Sequence, residues 1–533
     1  MLISNAIVGY TGFVGSNLLQ FYKFDYYYNS KNFEDAKNKS FDTIFFCGVP
    51  AVKWYSNKFP QEDNIVMQNL KNILDTVNAK KFILISTIDV YDNVELQLDE
   101  DSEIKFDENH TYGKNRYLFE KYVQNRYENH YIIRLPALFG NGLKKNIIYD
   151  LIHNNNVNNI PLNSAFQWYY LGWLKNDIDI ILNNNIRVFN LFTEPIHTNK
   201  IIKAFKDIYN IDYQSQIEYL GNDQQFRKYN VCTKYSKLFN KNNKYIREEN
   251  EIIESLLEYL KFEKINKSNL CVSNICTNNI SQLQFSSLLK LFGITKVQIA
   301  PTKLIDSWDK LDNINFDIYK NNNLEIYSLQ SITYTLNNLN VFDVNTKDQL
   351  FNHLTRVIDL AEKNNIKILV FGCPRNRKIL DIDIDNNSMF IDFFKKIGDY
   401  ANNKNVVICL ENNSKKYNCN FINSIGECAY FVKKINKKNV KMMVDLGNAV
   451  MENDHWYYLK EHIDIIYNID VAHEYMNDFS KVHESNYIFK FVLDNNKYSR
   501  IINLEMLIKD ENKNEIEILT ESLKNFINIY GIK

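Results

Sequence analysis

The chain has 533 residues, 63 basic and 64 acidic side chains for a formal net charge of -1, and 45% hydrophobic residues. That length calls for more than one domain, each able to bury its own core, and the apolar content excludes a disordered chain. The balanced charge argues against a nucleic-acid partner, and no apolar run reaches the ~18 residues of a membrane span. Eight scattered cysteines without a Cys-x-x-Cys pair read as free thiols in a reducing compartment. The start, Met1 to Val8, lacks the basic residues and cleavage site of a secretion signal. The expected setting is cytoplasmic, with small-molecule substrates and no membrane partner.

In chain order, strand-like runs fall at Leu2–Val8, Phe24–Tyr28, Thr43–Phe46, Phe82–Ser86 and Tyr131–Leu135. Helical patterns over Val14–Tyr22, Asp63–Val77 and Tyr112–Arg126 alternate with them. Such alternation implies an α/β domain, a doubly wound parallel sheet of the Rossmann type. After Pro136 the pattern is irregular to about residue 245, and a helix near Glu248–Phe262 closes the half. The polar stretch Lys264–Ser268 marks a boundary, giving domains of 1–264 and 268–533. The second half holds eight apolar strand candidates: Leu270–Asn274, Lys296–Ala300, Leu324–Leu329, Ile366–Phe371, Val406–Glu411, Lys441–Asp445, Ile465–Val471 and Arg500–Glu505. Helical stretches such as Ile280–Leu291 and Gln349–Asn364 lie between them. Eight such units predict a (β/α)8 TIM barrel.

Gly9-Tyr10-Thr11-Gly12-Phe13-Val14-Gly15 joins the first strand to the first helix. Glycines there let the backbone turn tightly and approach a pyrophosphate, so Gly9, Thr11, Gly12, Phe13, Val14 and Gly15 are expected to bind a dinucleotide. Further on come Ser86-Thr87-Ile88-Asp89-Val90-Tyr91, then Tyr112-Gly113-Lys114-Asn115-Arg116, then Arg134-Leu135-Pro136-Ala137-Leu138-Phe139-Gly140. With the glycine loop, these resemble, in order, the motifs of the extended short-chain dehydrogenases, the NAD-dependent epimerase/dehydratase group. The resemblance covers about residues 1–200. It implies NAD(P) as cofactor, Tyr112 as proton donor or acceptor, Thr87 as hydrogen-bond partner of the substrate oxygen, and a possible homodimer. Arg116 stands where the family has Lys. It keeps the charge that would pull the Tyr112 phenol down, on a forked and planar group. The second strand ends in Asn29-Ser30-Lys31 rather than in a carboxylate, so Ser30 and Lys31 favour NADP over NAD.

In the barrel half, Glu411, Asp445, Asp470 and Glu505 stand at the ends of the last four strands, where barrels place their sites. Four carboxylates at one mouth repel unless a cation balances them, and an all-oxygen set suits Mg or Mn. The segments around Glu411, Asp445-Leu446-Gly447-Asn448, Asp470 and Glu505, with Phe371-Gly372-Cys373-Pro374-Arg375-Asn376-Arg377, resemble the xylose isomerase-like sugar phosphate isomerase/epimerase barrels. This covers about 268–533. The resemblance implies a divalent metal held by Glu411, Asp445, Asp470 and Glu505, with Glu411 and Glu505 doubling as acid/base pair. Asn448 and Asp470 replace the family's histidines. Arg377, Asn448 and His473 are candidate substrate-binding residues. Two readings remain: a bifunctional enzyme acting on sugars or nucleotide-sugars, or a single enzyme whose other half only binds or assembles.

Overall fold

The computed structural model describes residues 4–532 apart from 220–225, 240, 382–384, 455–456 and 510–513. Leu2 and Ile3 of the first expected strand lie outside the described residues. The chain divides into two compact units, Met1–Lys264 and Ile265–Lys533.

The first unit contains β1 (Asn5–Val8), β2 (Tyr26–Tyr28), β3 (Ser40–Phe46), β4 (Asn78–Thr87), β5 (His130–Leu135), β6 (Ala137–Phe139), β7 (Ala165–Tyr170), β8 (Val188–Asn190) and β9 (Pro195–His197). Six of these form a parallel sheet in the order β2-β1-β3-β4-β5-β8. The order reverses around β1, which opens a crevice at the carboxyl ends of β1 and β3, where such sheets bind ligands. Both loops there carry glycine, Gly9 after β1 and Gly48 after β3. Phe46, Phe82 and Phe119 pack together under the sheet with ring centroids 5.6 and 5.7 Å apart. Each is at most 1% exposed, and such burial contributes about 1.5–3 kcal/mol per side chain. The stretch that reads as irregular holds a smaller sheet, β6-β7-β9.

The second unit is a closed parallel barrel of β10 (Leu270–Ser273), β11 (Lys296–Ile299), β12 (Glu325–Leu329), β13 (Ile368–Phe371), β14 (Val407–Glu411), β15 (Val440–Asp445), β16 (Ile466–Val471) and β17 (Ile501–Leu504). All eight expected strands are present. An apolar layer of Ile368, Val370, Cys409 and Met443 fills part of the barrel. Polar residues are buried there too. Gln298, Ser328, Asn468, Asp470 and Asn503 are 0% exposed. Asn503 Nδ2 donates to Gln298 Oε1 (2.9 Å) and to Asp470 Oδ1 (3.1 Å), joining β17 to β11 and β16. All eight cysteines are free, as expected. Among the described residues no helix is long and apolar enough to cross a membrane.

Candidate functional sites

In the first unit the glycine loop is forced by its own backbone. Gly9 has φ 87°, and a Cβ on Gly9 would sit 2.5 Å from the Cys47 carbonyl oxygen. A Cβ on Gly15 would sit 2.2 Å from the Gly9 oxygen. The turn closes with Gly12 N donating to Gly9 O at 2.9 Å and leads into the helix Phe13–Leu18. Thr11 is exposed, and Phe13 and Val14 are half-buried. At the end of β2, Asn29 Nδ2 donates to the Tyr10 hydroxyl (3.3 Å) and Asn29 Oδ1 accepts from Lys31 N (2.8 Å). Ser30 and Lys31 face solvent.

At the end of β4 the structure brings Tyr112 and Thr87 into hydrogen-bonding reach. Arg116 pulls the Tyr112 phenol down, as expected of a cation there, but burial outweighs it and pushes the phenol up to about 12. Arg116 is otherwise engaged. Its Nη1 meets Asp63 Oδ2 at 2.5 Å, with both side chains 4% exposed, and its Nη2 donates to Pro50 O. Its guanidinium lies 4.1 Å over the face of the Tyr112 ring, not at the hydroxyl. Asp63 also accepts from Ser56 and Asn115. Next to the pair stands a residue the motif reading left without a role. Asp89 Oδ1 accepts from Lys53 Nζ (2.6 Å) and lies 4.0 Å from His110 Nε2, while its backbone N donates to Thr87 Oγ1 (3.2 Å). A carboxylate two residues past Thr87 was the only sequence signal for it.

In the barrel the four strand-end carboxylates come together. Glu411 (9% exposed), Asp445 (4%), Asp470 (0%) and Glu505 (6%) are buried. Burial comes first in holding all four above the usual carboxylate range. Neighbouring charge adds to this: Asp445 and Asp470 act on Glu411, Asp445 acts on Asp470, and Asp470, Glu411 and Asp445 act on Glu505. Amides support each one. Asn448 donates from its backbone N to Asp445 Oδ1 (2.9 Å) and from Nδ2 to Asp445 Oδ2 (2.6 Å). Asn468 (2.8 Å) and Asn503 (3.1 Å) both donate to Asp470 Oδ1, and Gln298 stands within hydrogen-bonding reach of the same carboxylate. Asn413 Nδ2 donates to Glu411 Oε1 (3.1 Å), and Gln330 donates to Glu505. A Cβ on Gly372 would stand 1.5 Å from Glu411 Oε2, so glycine is what lets Glu411 lie across the end of β13.

The oxygen donor set has the chemistry for a hard divalent ion. The placement does not. Among the described residues no three His, Cys, Asp or Glu side chains are gathered closely enough to hold one. The expected metal shell of Glu411, Asp445, Asp470 and Glu505 is not assembled in this arrangement, in which amides hold the carboxylates. Two substrate-binding expectations shift as well. Asn448 caps Asp445 and accepts from Ser414 N (3.0 Å), tying two loops together. His473 stacks on His483 (4.0 Å between centroids) and Phe479, with Nδ1 against Asp478 O and Nε2 against Asn486, so both ring nitrogens are engaged. Arg377 does reach the site's edge. It is 0% exposed, donates to Asn413 Oδ1, and favours the charged form of Glu411, while its Nε and Nη1 have no partner. Sequence reasoning missed Gln330, Asn413 and Tyr417. The half-buried Tyr417 ring feels the charges of Asp445, Glu505 and Glu411.

Comparison with known proteins agrees with both halves. A model of the NAD dependent epimerase/dehydratase family matches residues 21–165, which takes in Thr87, Tyr112 and Arg116 and begins past the glycine loop. A model described as xylose isomerase-like TIM barrel matches 299–524. No curated protein matches the chain. Among solved structures, Escherichia coli 3-keto-D-glucoside 4-epimerase aligns at 14% identity over 48% of this chain and 99% of its own, TM-score 0.41. A D-psicose 3-epimerase from Clostridium cellulolyticum H10 aligns at 13% identity, 49% and 98%, TM-score 0.41. A family 2 AP endonuclease from Brucella melitensis aligns at 16% identity, 50% and 100%, TM-score 0.40. The chain thus joins a half similar to the NAD-dependent epimerase/dehydratase family to a half similar to the xylose isomerase-like TIM barrels.

Proposed function

We propose that this protein is a sugar-modifying enzyme with two sites, a proton-transfer site in the barrel that epimerises or isomerises a sugar and an NAD(P) site in the first half. The observation that carries the barrel reading is the set of buried carboxylates at the carboxyl ends of β14 to β17. A carbon-bound hydrogen beside a carbonyl is removed by a carboxylate as the C–H electron pair moves toward the carbonyl oxygen. The proton then returns from the other face or to the neighbouring carbon. Glu411 and Glu505 are the acid/base pair. Both are held above the usual carboxylate range, which suits groups that must carry a proton as well as take one. Asn413 and Gln330 orient them.

In the first half the crevice at β1 and β3 takes the dinucleotide, and the absence of a carboxylate at Asn29-Ser30-Lys31 leaves room for a 2′-phosphate. When bound, the dinucleotide supplies hydride transfer. Tyr112 and Thr87 hold the substrate oxygen, and Asp89 stands next to them. A second reading, that this half binds dinucleotide without turnover, is favoured by the commitment of Arg116 to Asp63 and Pro50.

The test is exchange of carbon-bound hydrogen with D2O, followed by NMR on a panel of ketoses, their phosphates and nucleotide-sugars. Wild type is expected to incorporate deuterium into at least one, and Glu505→Gln to abolish it. Exchange by Glu505→Gln at the wild-type rate would sink the barrel mechanism. NADPH titration of wild type and Tyr112→Phe addresses the first half: equal binding with lost redox turnover supports Tyr112, and unchanged turnover removes it.

A further inference from the structure

Tyr417 sits six residues past Glu411, in the loop after β14. That loop is tightly built. Ser414 Oγ donates to Glu452 Oε1 (2.6 Å), Lys415 N donates to the same oxygen (2.8 Å), and Tyr417 N donates to Ser414 O (3.0 Å). Asn418, at φ 64°, then turns the chain away. Three of the carboxylates, Asp445, Glu505 and Glu411, act on the Tyr417 phenol. Its hydroxyl is sealed from solvent and has no hydrogen-bond partner among the described residues. A buried phenol O–H normally finds one, because leaving it unmade costs the desolvation of the group.

A second loop meets the same ring. Tyr475, past β16, approaches Tyr417 edge-on with centroids 6.4 Å apart. Tyr475 and Met476 both have φ 57°, a left-handed pair that non-glycine residues avoid. The pair is held from the loop after β17: Leu507 N donates to Met476 O (2.7 Å), and Lys509 donates to Tyr475 O. Tyr475 is 48% exposed, so the barrel's end presents one tyrosine to solvent beside another whose hydroxyl is sealed from it.

Proton transfer beside a carbonyl needs one thing the carboxylates cannot give while ionised, a donor for the oxygen on which charge gathers. We propose that the Tyr417 hydroxyl is that donor, hydrogen-bonding the substrate's carbonyl oxygen as the carbon-bound proton leaves, and that Tyr475 covers the sugar above it. The inference rests on the proton-transfer reading above. In the step, the C–H bond breaks, an O–H bond forms on the carboxylate, and the electron pair moves onto the carbonyl oxygen. Tyr417 keeps its own proton throughout. The substrate class follows: a sugar with a free carbonyl next to a carbon-bound hydrogen, in its open-chain form at the moment of reaction.

Tyr417→Phe removes one oxygen and nothing else. With D-fructose, D-ribulose and their terminal phosphates as probes in D2O, Tyr417→Phe is expected to lower kcat for exchange about 10²–10³-fold with little change in KM. Tyr475→Leu is expected to act chiefly on KM. Because the hydroxyl has no partner among the described residues, Tyr417→Phe should melt no lower than wild type. A variant kcat within about twofold of wild type overturns the donor role, and a lowered melting temperature overturns it in favour of a structural one. If folded wild type exchanges none of the probes, the proton-transfer reading itself falls and the proposal with it. That outcome is distinct from an active wild type with an unaffected variant.

Discussion

Arg116→Lys puts the family's usual residue back into this chain. The guanidinium now makes three contacts in a dry place: Asp63 at 2.5 Å, the Pro50 carbonyl, and the Tyr112 ring at 4.1 Å. A lysine ammonium keeps the charge but is a single point. It can meet Asp63 or reach toward Tyr112, not both with Pro50 as well. Losing the bond to Pro50 leaves a buried acceptor unmade, about 1–3 kcal/mol, and losing the stacked cation costs about 0.5–2 kcal/mol. The expected loss is roughly 2–4 kcal/mol. Arg116→Met should cost about 3–5 kcal/mol, because Asp63 is then a buried charge without a cation. The chain divides into two compact units, so the assay is a local one, hydrogen exchange at low denaturant read on peptides within Thr111–Arg126. The expected order of protection is wild type, then Lys, then Met. If Arg116→Lys protects that helix as well as wild type does, the guanidinium is not the lock described here. If redox turnover then also appears, the lock was what silenced Tyr112.

The other predictions are shorter. Gly372→Ala should push Glu411 off its place, since the new Cβ would lie 1.5 Å from Oε2; deuterium exchange is expected to fall on the order of 10²-fold, and unchanged exchange would detach Glu411 from the reaction. Titration with Mn is expected to show no saturable one-to-one binding, because no three of the described acidic side chains are gathered closely enough to hold an ion; stoichiometric binding would show that the carboxylates can regroup around one. His473 is held down to about 4 by burial and by His483. Its folded value lies below the unfolded one, so its contribution to stability is present above pH ~6.5 and lost as the pH falls toward 4. Discounted for solvent screening, that is about 2 kcal/mol, read as the difference between wild type and His473→Gln in denaturant midpoints at pH 7 and pH 4.5. Equal pH dependence in the two would mean His473 is not held neutral.

The barrel strands were legible because strands buried on both faces read as unbroken apolar runs, Val407–Glu411 and Ile466–Val471 among them. The smaller elements of the first half were not. β8 is three residues, Val188–Asn190, and β9 is Pro195–His197; neither is long enough to show a period. β8 nonetheless completes the main sheet by pairing with β5. The strand-end carboxylates were readable one by one from their spacing. What they touch was not, because the partners come from elsewhere in the chain. Arg116 and Asp63 are 53 residues apart, and Asn503 reaches Gln298 across 205. His473 looked like a site residue from its place three positions after Asp470. Its ring instead packs on Phe479 and His483 and meets Asn486.

The two departures from family pattern have opposite consequences. In the first half, Arg116 replaces a lysine and is paired with Asp63, and burial of the Tyr112 phenol outweighs the pull of the Arg116 charge, so Tyr112 moves up instead of down. In the barrel, Asn448 stands where a histidine is expected and does two jobs at once. Its amide donates to Asp445, and its oxygen accepts from Ser414 N. That fixes Asp445 and anchors the loop that carries Tyr417, without adding charge. Asn468 and Asn503 do the same for Asp470. Neutral donors of this kind orient carboxylates but do not cancel them, so Glu411 and Glu505 keep the mutual repulsion that makes each ready to bind a proton. A substitution that quiets a charge argues for retirement, and one that arranges charges without quieting them argues for use. On that ground the barrel is the half in which chemistry has the stronger physical support.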